Sequence, residues 1–276
     1  MTDIIHITGL DIPELCVYTK LNENQLLNRD KPEEGLFIAE SPKVIERALE
    51  AGYVPVSFLV ETKRFEAEAK DIISKITDAK VYTADESILT ELTGFKLTRG
   101  MLCAMKRKPL LSPESLLCNA HRVVILENIM NPTNVGALFR SAAALNLDAV
   151  ILTSDCSNPL YRRAIRVSMG AVFKIPWTIA GEELSGGGKL AALCKEHGFC
   201  TAAFALDSDT VSVTSPELKK SEKLAFFLGS EGDGLSKATI QNCNFRVKIP
   251  IYNDIDSLNV SVAGAIAFYE LSGRDT

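Results

Sequence analysis

A two-domain α/β architecture, with a mainly parallel sheet in the second domain, is what the 276-residue sequence predicts. Three observations carry that reading. The strand candidates of the second half are apolar nearly throughout, the pattern of strands covered on both faces. They alternate with helical segments, as parallel strands joined by crossover helices must. Between them and the first hundred-odd residues lies a stretch, 109–120, with two prolines, serines and little apolar periodicity, which suits a link between domains. At 46% hydrophobic residues, each domain has the material for its own core.

In order along the chain, residues 35–40 are strand-like, and Ser41-Pro42 opens a helix over 43–51 that Gly52 ends, proline being suited to a first helical turn. Residues 56–60 extend again, 65–76 are helical, 80–83 form a strand, 86–92 a helix and 101–105 a last strand, giving a small α/β domain over 1–108. Beyond the link, in 121–276, strands are expected near 122–126, 149–152, 174–176, 200–206, 224–228 and 246–250. Helices are expected near 135–146, 160–169, 189–197, 236–242 and 258–272. In such a sheet ligands sit outside the carboxyl ends of the strands, so the loops that follow the strands are where chemistry belongs.

Seven cysteines, odd in number, scattered and never in a C-x-x-C pair, with three histidines to join them, read as reduced thiols in a metal-free cytoplasmic protein. No basic-then-apolar leader opens the chain and no apolar run reaches the roughly 18 to 20 residues of a membrane helix, which argues against secretion and membrane insertion. The net charge of −5 argues against indiscriminate nucleic-acid binding, so basic residues must cluster to matter. Two clusters exist, both without an acid: Lys96, Arg99, Lys106, Arg107 and Lys108, and then Arg162, Arg163, Arg166 and Lys174. Either alone has the composition of a solvated face; the two together, beside candidate site loops, favour a polyanionic substrate.

Three loops at strand ends stand out. Asn131-Pro132-Thr133-Asn134-Val135-Gly136 leads into a helix carrying Arg140. Gly229-Ser230-Glu231-Gly232-Asp233-Gly234 follows the strand ending at Leu228. Ile249-Pro250-Ile251 leads through a polar turn to Ser257, a suitable N-cap, then Leu258, Asn259 and an alanine-rich helix. Strand, Asn/Asp turn and Ser cap are ordinary connection grammar, yet the junction leaves backbone N–H and C=O groups with which to read a ligand. The glycines run G-x-x-G-x-G, not the G-x-G-x-x-G of dinucleotide sites, and no G-x-x-x-x-G-K-[ST] occurs. Glu231 and Asp233 place carboxylates where a pyrophosphate would need donors, which makes a nicotinamide oxidoreductase remote. A ligand with an adenosine and a positive centre but no phosphate suits the loop, and S-adenosylmethionine meets both demands; Glu231 as a helix cap or an arginine's partner accounts for the same carboxylate.

Taken in order, Asn134-Val135-Gly136 with Arg140, Gly229-Ser230-Glu231-Gly232 with Gly234, and Ile249-Pro250-Ile251 with Ser257-Leu258-Asn259-Val260-Ser261-Val262-Ala263 resemble the three motifs of the SpoU (TrmH-like) RNA ribose methyltransferases. The resemblance covers about residues 122–272, and the first hundred-odd residues look like an L30e-type RNA-binding domain. It implies a SPOUT-type fold whose carboxyl-terminal segment threads a trefoil knot, normally in a homodimer. It also implies binding of S-adenosylmethionine, largely by backbone groups, and methyl transfer to a ribose 2′-hydroxyl of tRNA or rRNA. Carried over residue by residue, Leu228, Gly229, Ile249, Ile251 and Leu258 match cofactor contacts. Arg140, Asn134, Glu231, Ser257 and Asn259 match the polar catalytic positions, while Lys96, Arg99, Lys106, Arg107, Arg162, Arg163 and Arg166 are the candidates for RNA contact. One departure is Asn253, where the family commonly has glycine; asparagine is among the few residues that tolerate a left-handed backbone.

A 2′-hydroxyl is a poor nucleophile and a sulfonium an excellent methyl donor, so in-line placement and the loss of one proton govern the reaction. Arg140 suits binding of the adjacent phosphate and polarisation of the ribose oxygen better than the role of free base, since guanidinium stays protonated in proteins. Set among Phe139, Ala142 and Ala143, it reads as a buried arginine in need of a partner. Ser257 and Asn259 can orient Arg140 or the ribose, and Asn134 and Glu231 can hold the loops together. The apolar 260–271 helix serves equally as dimer surface or core helix. The competing reading is a non-catalytic RNA-binding or assembly protein that keeps the fold, for which Asn253 is the motive.

Overall fold

Apolar strands and proline- or glycine-bounded helices fold the chain into two units. The computed structural model describes residues 4–9, 12–28, 31–93, 100–184, 186–205, 209–253 and 256–272. One unit comprises Met1–Pro109 with Leu160–Phe173, the other Leu110–Pro159 with Lys174–Thr276.

The first unit holds β1 (Ile4–His6), β2 (Leu36–Glu40), β3 (Pro55–Glu61), β4 (Lys80–Ala84) and β5 (Met101–Lys106) in the order β1-β4-β3-β5-β2. β1, β4 and β3 run parallel, whereas β5 is antiparallel to both neighbours. Its helices are α1 (Cys16–Thr19), α2 (Glu23–Leu27), α3 (Pro42–Glu50), α4 (Lys70–Ile73) and α5 (Glu86–Thr93), joined by α8 (Arg162–Val167) from later in the chain. α3 starts on Pro42, buries Val44, Ile45 and Ala48 along one face, and is followed by Gly52 at φ +75°, as its sequence predicts. The helix expected over 65–76 is broken: Phe65–Ala69 winds as a π-turn and α4 stops at Ile73.

The second unit is a seven-stranded, all-parallel sheet: β6 (Arg122–Leu126), β7 (Ala149–Leu152), β8 (Trp177–Ile179), β9 (Cys200–Phe204), β10 (Val211–Ser212), β11 (Leu224–Leu228) and β12 (Phe245–Lys248), ordered β10-β12-β9-β11-β6-β7-β8. β6, β7 and β11 are buried at every position, so the apolar runs of the sequence are the doubly covered strands. The helices are α6 (Pro113–Cys118), α7 (Pro132–Ala144), α9 (Gly187–Glu196), α10 (Pro216–Lys219), α11 (Lys237–Asn242) and α12 (Val260–Leu271). α12 lies against α7 at Gly264, where a Cβ would come within 2.5 Å of Leu138 Cδ2 and 3.1 Å of Leu228 Cδ1. Among the described residues no helix is long and apolar enough to cross a membrane.

Three expectations need correction. Residues 174–176 are not a strand; a 3₁₀ turn at Ala171–Phe173 delays β8 to Trp177. The supposed link at 109–120 contains α6, capped by Ser112 Oγ accepting from Ser115 N at 3.2 Å, and its Leu116 and Leu117 enter the core with Val123, Ile151 and Phe227. The helix expected near 160–169 is shorter and packs with the first unit. There Arg162 Nε donates to Glu40 Oε2 at 3.0 Å and its backbone N–H to Glu23 Oε1 at 2.9 Å, while Phe173 stacks 5.7 Å from Phe37 and 5.2 Å from Tyr53.

Candidate functional site

The chain turns sharply at the end of β11. A Cβ on Gly229 would lie 2.2 Å from Gly234 C and 2.4 Å from Leu235 N, so only glycine permits the loop to fold back on itself. Gly234, at φ +68°, closes it by donating to Ser230 O at 3.1 Å, and Leu235 plugs into the core. Beside it β12 ends and the chain passes through Ile249 and Ile251 towards α12. Between these loops lies a cavity of about 500 Å³, lined by Leu228 to Leu235, Lys248, Ile249, Ile251, Asp256, Ser257, Leu258, Val260 and Ala263, together with Phe204, Ala205, Ile240 and Val247. Its volume falls in the range of roughly 300–1,000 Å³ typical of small-molecule sites. Apolar side chains, a glycine loop that exposes backbone, and three carboxylates, Glu231, Asp233 and Asp256, against the single cation Lys248 fit a flat nucleoside joined to a cationic centre.

Asn259 joins the three loops. Its Nδ2 donates to Asn134 Oδ1 at 3.2 Å and to Glu231 Oε1, while its Oδ1 accepts from Ser261 N at 2.9 Å and Ser261 Oγ at 2.6 Å. Asn259 is therefore the N-cap of α12, where the sequence suggested Ser257, and α12 starts at Val260. Ser257 lines the cavity instead. Asn134 is 5% exposed on the first turn of α7, held by Pro132 at the helix start and by Asn131, whose side chain accepts from Thr133 N at 2.9 Å. Asn253 takes φ +62°, the left-handed conformation expected of it; Asp254 and Ile255 lie outside the described residues.

Arg140 corrects the sequence reading. It is exposed on α7, not buried, and does not line the cavity; Asn259 turns to Asn134 and Glu231, not to it. Its neighbours Ala137 and Ser141 form an open groove with Ser261, Val262, Ala265, Ile266, Tyr269 and Glu270 of α12. The apolar residues that surround Arg140 in sequence occupy other faces of the helix: Phe139 and Ala142 are buried.

Sequence reasoning missed Glu127, directly after β6. Only 6% exposed, it accepts from Ser236 N at 3.1 Å through Oε1 and from Thr239 Oγ1 at 2.6 Å through Oε2, and its own N–H donates to Leu228 O at 2.9 Å. It pins the far end of the glycine loop and the start of α11. A charged residue directly after the apolar run of residues 123–126, at the ligand edge of a parallel sheet, was the available signal.

Of the basic candidates, Lys96 and Arg99 lie outside the described residues. Lys106 is exposed at the end of β5, and Arg107 Nη1 donates to Leu27 O at 2.7 Å. Arg162 is committed to the buried Glu40 carboxylate, 3% exposed, whereas Arg163 and Arg166 are exposed on α8.

The chain belongs to the SpoU rRNA methylase family, whose model matches residues 121–269. An uncharacterised tRNA/rRNA methyltransferase of Mycobacterium tuberculosis is 35% identical over 274 residues, covering 96% of this chain and 93% of the relative. The 23S rRNA (guanosine(2553)-2′-O)-methyltransferase RlmP of Bacillus subtilis is 25% identical over 248 residues, covering 89% and 92%. Among solved structures, the AdoMet-bound rRNA methyltransferase from Sinorhizobium meliloti matches with a TM-score of 0.79 at 21% identity over 97% of each chain. The SpoU methyltransferase AviRb from Streptomyces viridochromogenes, in complex with AdoMet, matches at 0.74 and 19% identity over 89% of this chain and 93% of that one. At these identities the shared property is the fold. The family is the one that the three sequence motifs indicated.

Proposed function

We propose that the chain methylates a ribose 2′-hydroxyl in structured rRNA or tRNA, with S-adenosylmethionine as donor, as a homodimer in which Arg140 of one copy serves the cavity of the other. The observation that carries this reading is the join made by Asn259 between the first and second motifs at the cavity, with Arg140 left outside it, exposed on α7 next to Ala137 and Ser141 of the groove. The 2′-O specificity of the RlmP relative supports it. The SPOUT knot and the L30e-like character of the first unit belong to the same proposal, as do Lys106, Arg163 and Arg166, with Lys96 and Arg99, as RNA contacts.

When bound, S-adenosylmethionine supplies an electrophilic methyl group on a positive sulfur. Leu228, Gly229, Ile249, Ile251 and Leu258 line the cavity and would hold the donor through backbone and apolar contacts, while Glu231 and Asp233 would set negative potential towards its cationic centre. Asn259 keeps Glu231 in position. Arg140 would bind the phosphate next to the target ribose and polarise its 2′-oxygen, so that the proton passes to that phosphate or to water. The assembly-protein reading rested on Asn253; its φ of +62° is a conformation that the family's glycine could also take, which favours the catalytic reading.

Labelled S-adenosylmethionine and unmodified rRNA and tRNA transcripts test the reaction; absence of transfer to all of them sinks it. Arg140→Ala should bind the donor normally and transfer methyl roughly 100-fold more slowly or worse. Gly229→Trp should lose donor binding. Mixed and reassociated, the two inactive variants should regain transfer, because the hybrid dimer holds one intact cavity facing one intact arginine. Absence of complementation despite proven hybrid formation would refute the shared site.

A further inference from the structure

We propose that Tyr252 is the stacking platform for the base of the nucleotide being methylated, an assignment that rests on the reading of this chain as an RNA methyltransferase. Tyr252 is 77% exposed, the most solvent-accessible of the large apolar side chains described. Three of the others, Val262, Ile266 and Tyr269, recur at i, i+4 and i+7 on α12 and line the open groove beside Ala137 and Ser141 of α7. Tyr252 is not on that face. It directly follows Ile251, which lines the cavity, so it stands at the edge of the cavity lining. Asn253, at φ +62°, bends the chain immediately after it.

The reaction places a base at this edge. The attacking 2′-oxygen must come within roughly 3–3.5 Å of the methyl carbon. The base hangs from the ribose carbon next to the one that bears this oxygen, so it lies at the cavity mouth. In the cavity lining three carboxylates, Glu231, Asp233 and Asp256, stand against one cation, Lys248, so the lining is a poor general phosphate site and the exposed ring of Tyr252 beside it is a face on which a base can stack. Proteins read single-stranded RNA by splaying bases onto such faces, and each stack is worth roughly 1–3 kcal/mol with little dependence on base identity. A ring in water gains by accepting a base; an exposed tyrosine elsewhere on the surface would have no such neighbour.

The test uses full-length protein and an in-vitro-transcribed rRNA or tRNA that the wild-type protein methylates. Tyr252→Ala should raise KM for that RNA roughly tenfold, with S-adenosylmethionine affinity by calorimetry and oligomeric state by light scattering unchanged. Tyr252→Phe and Tyr252→Trp should keep KM within about twofold, since the ring and not the hydroxyl does the stacking. With 2-aminopurine at the methylated position, fluorescence of the complex should rise in Tyr252→Ala relative to Tyr252→Phe as the stack is lost. An unchanged KM in Tyr252→Ala overturns the proposal. So does an equal loss in Tyr252→Phe, loss of donor binding, or dissociation of the dimer, which would assign the ring to the hydroxyl's partner, the cofactor or the second copy. If wild-type protein methylates no RNA, it is the underlying function that fails; if it does and Tyr252→Ala is indifferent, only this assignment fails.

Discussion

Asn259 shows how much one short side chain can settle. Its oxygen caps α12 through Ser261 N–H, and its amide nitrogen ties Asn134 to Glu231. The two ends can be separated by substitution. Asn259→Asp keeps the acceptor for the cap but removes the donor and sets a second carboxylate against Glu231, so the melting temperature should stay near that of the wild type while donor affinity falls roughly tenfold, about 1–2 kcal/mol. Asn259→Ala should lose both the donor contacts and the cap, the latter costing about 0.5–2 kcal/mol of stability. Calorimetry and thermal melts read the two effects apart, and an Asn259→Asp protein with undiminished donor affinity would contradict the role assigned to the amide. Sequence alone named Asn134, Glu231 and Asn259 but not their connection, because a residue's type says which bonds it can make and not which neighbour the fold brings. Arg140 illustrates the same gap: apolar neighbours in sequence implied burial, yet they point to other faces of α7, and a single chain leaves the arginine exposed.

At the scale of elements, α12 is fastened at both ends, by Asn259 at its start and by Arg122 at its finish. The Arg122 side chain, 8% exposed, donates from Nε to Leu271 O at 2.9 Å, from Nη1 to Glu222 O at 2.7 Å and His121 O at 3.1 Å, and from Nη2 to Ser221 O at 2.9 Å. Burial pulls its guanidinium below the ordinary arginine value, against the opposing pull of Asp148. Arg122→Met would leave these carbonyls without their cation and should cost about 2–4 kcal/mol in a denaturant melt. Arg122→Lys should recover little, because one ammonium cannot fork to Leu271, Glu222 and Ser221 together; full recovery by lysine would reduce the contact to charge alone. Strands such as β6, β7 and β11 were legible in the sequence because they are buried on both faces and read as unbroken apolar runs. β1 and β10, with three and two residues at the sheet edges, carry no such run. α6 was hidden by the same prolines and serines that cap it: Ser112 and Pro113 are a helix start as readily as a link.

For the whole molecule, the units divide between Pro109 and Leu110, where the proline- and serine-rich stretch begins, but one later segment crosses that division. The first unit takes Leu160–Phe173 from a point some fifty residues beyond its own last strand. Glu40, 3% exposed as a side chain, meets Arg162 there; Arg47 donates to Met169 O; Tyr161 donates to Asn24 Oδ1 at 2.7 Å; and Phe173 completes an aromatic trio with Phe37 and Tyr53. A cut at the apparent link, giving residues 1–109, would therefore strand a buried carboxylate without its cation and uncover two aromatic rings. Removing one partner of a buried ion pair alone costs about 3–5 kcal/mol, a large part of the stability of a domain this size. The fragment should show a broad, early thermal transition and bind a hydrophobic dye. Adding a peptide of residues 158–175 should sharpen the transition and raise its midpoint, and the same peptide with Arg162→Ala should do so much less. A 1–109 fragment that melts cooperatively at high temperature and ignores the peptide would show that the excursion only decorates the unit, and that residues 1–109 stand as a domain without it.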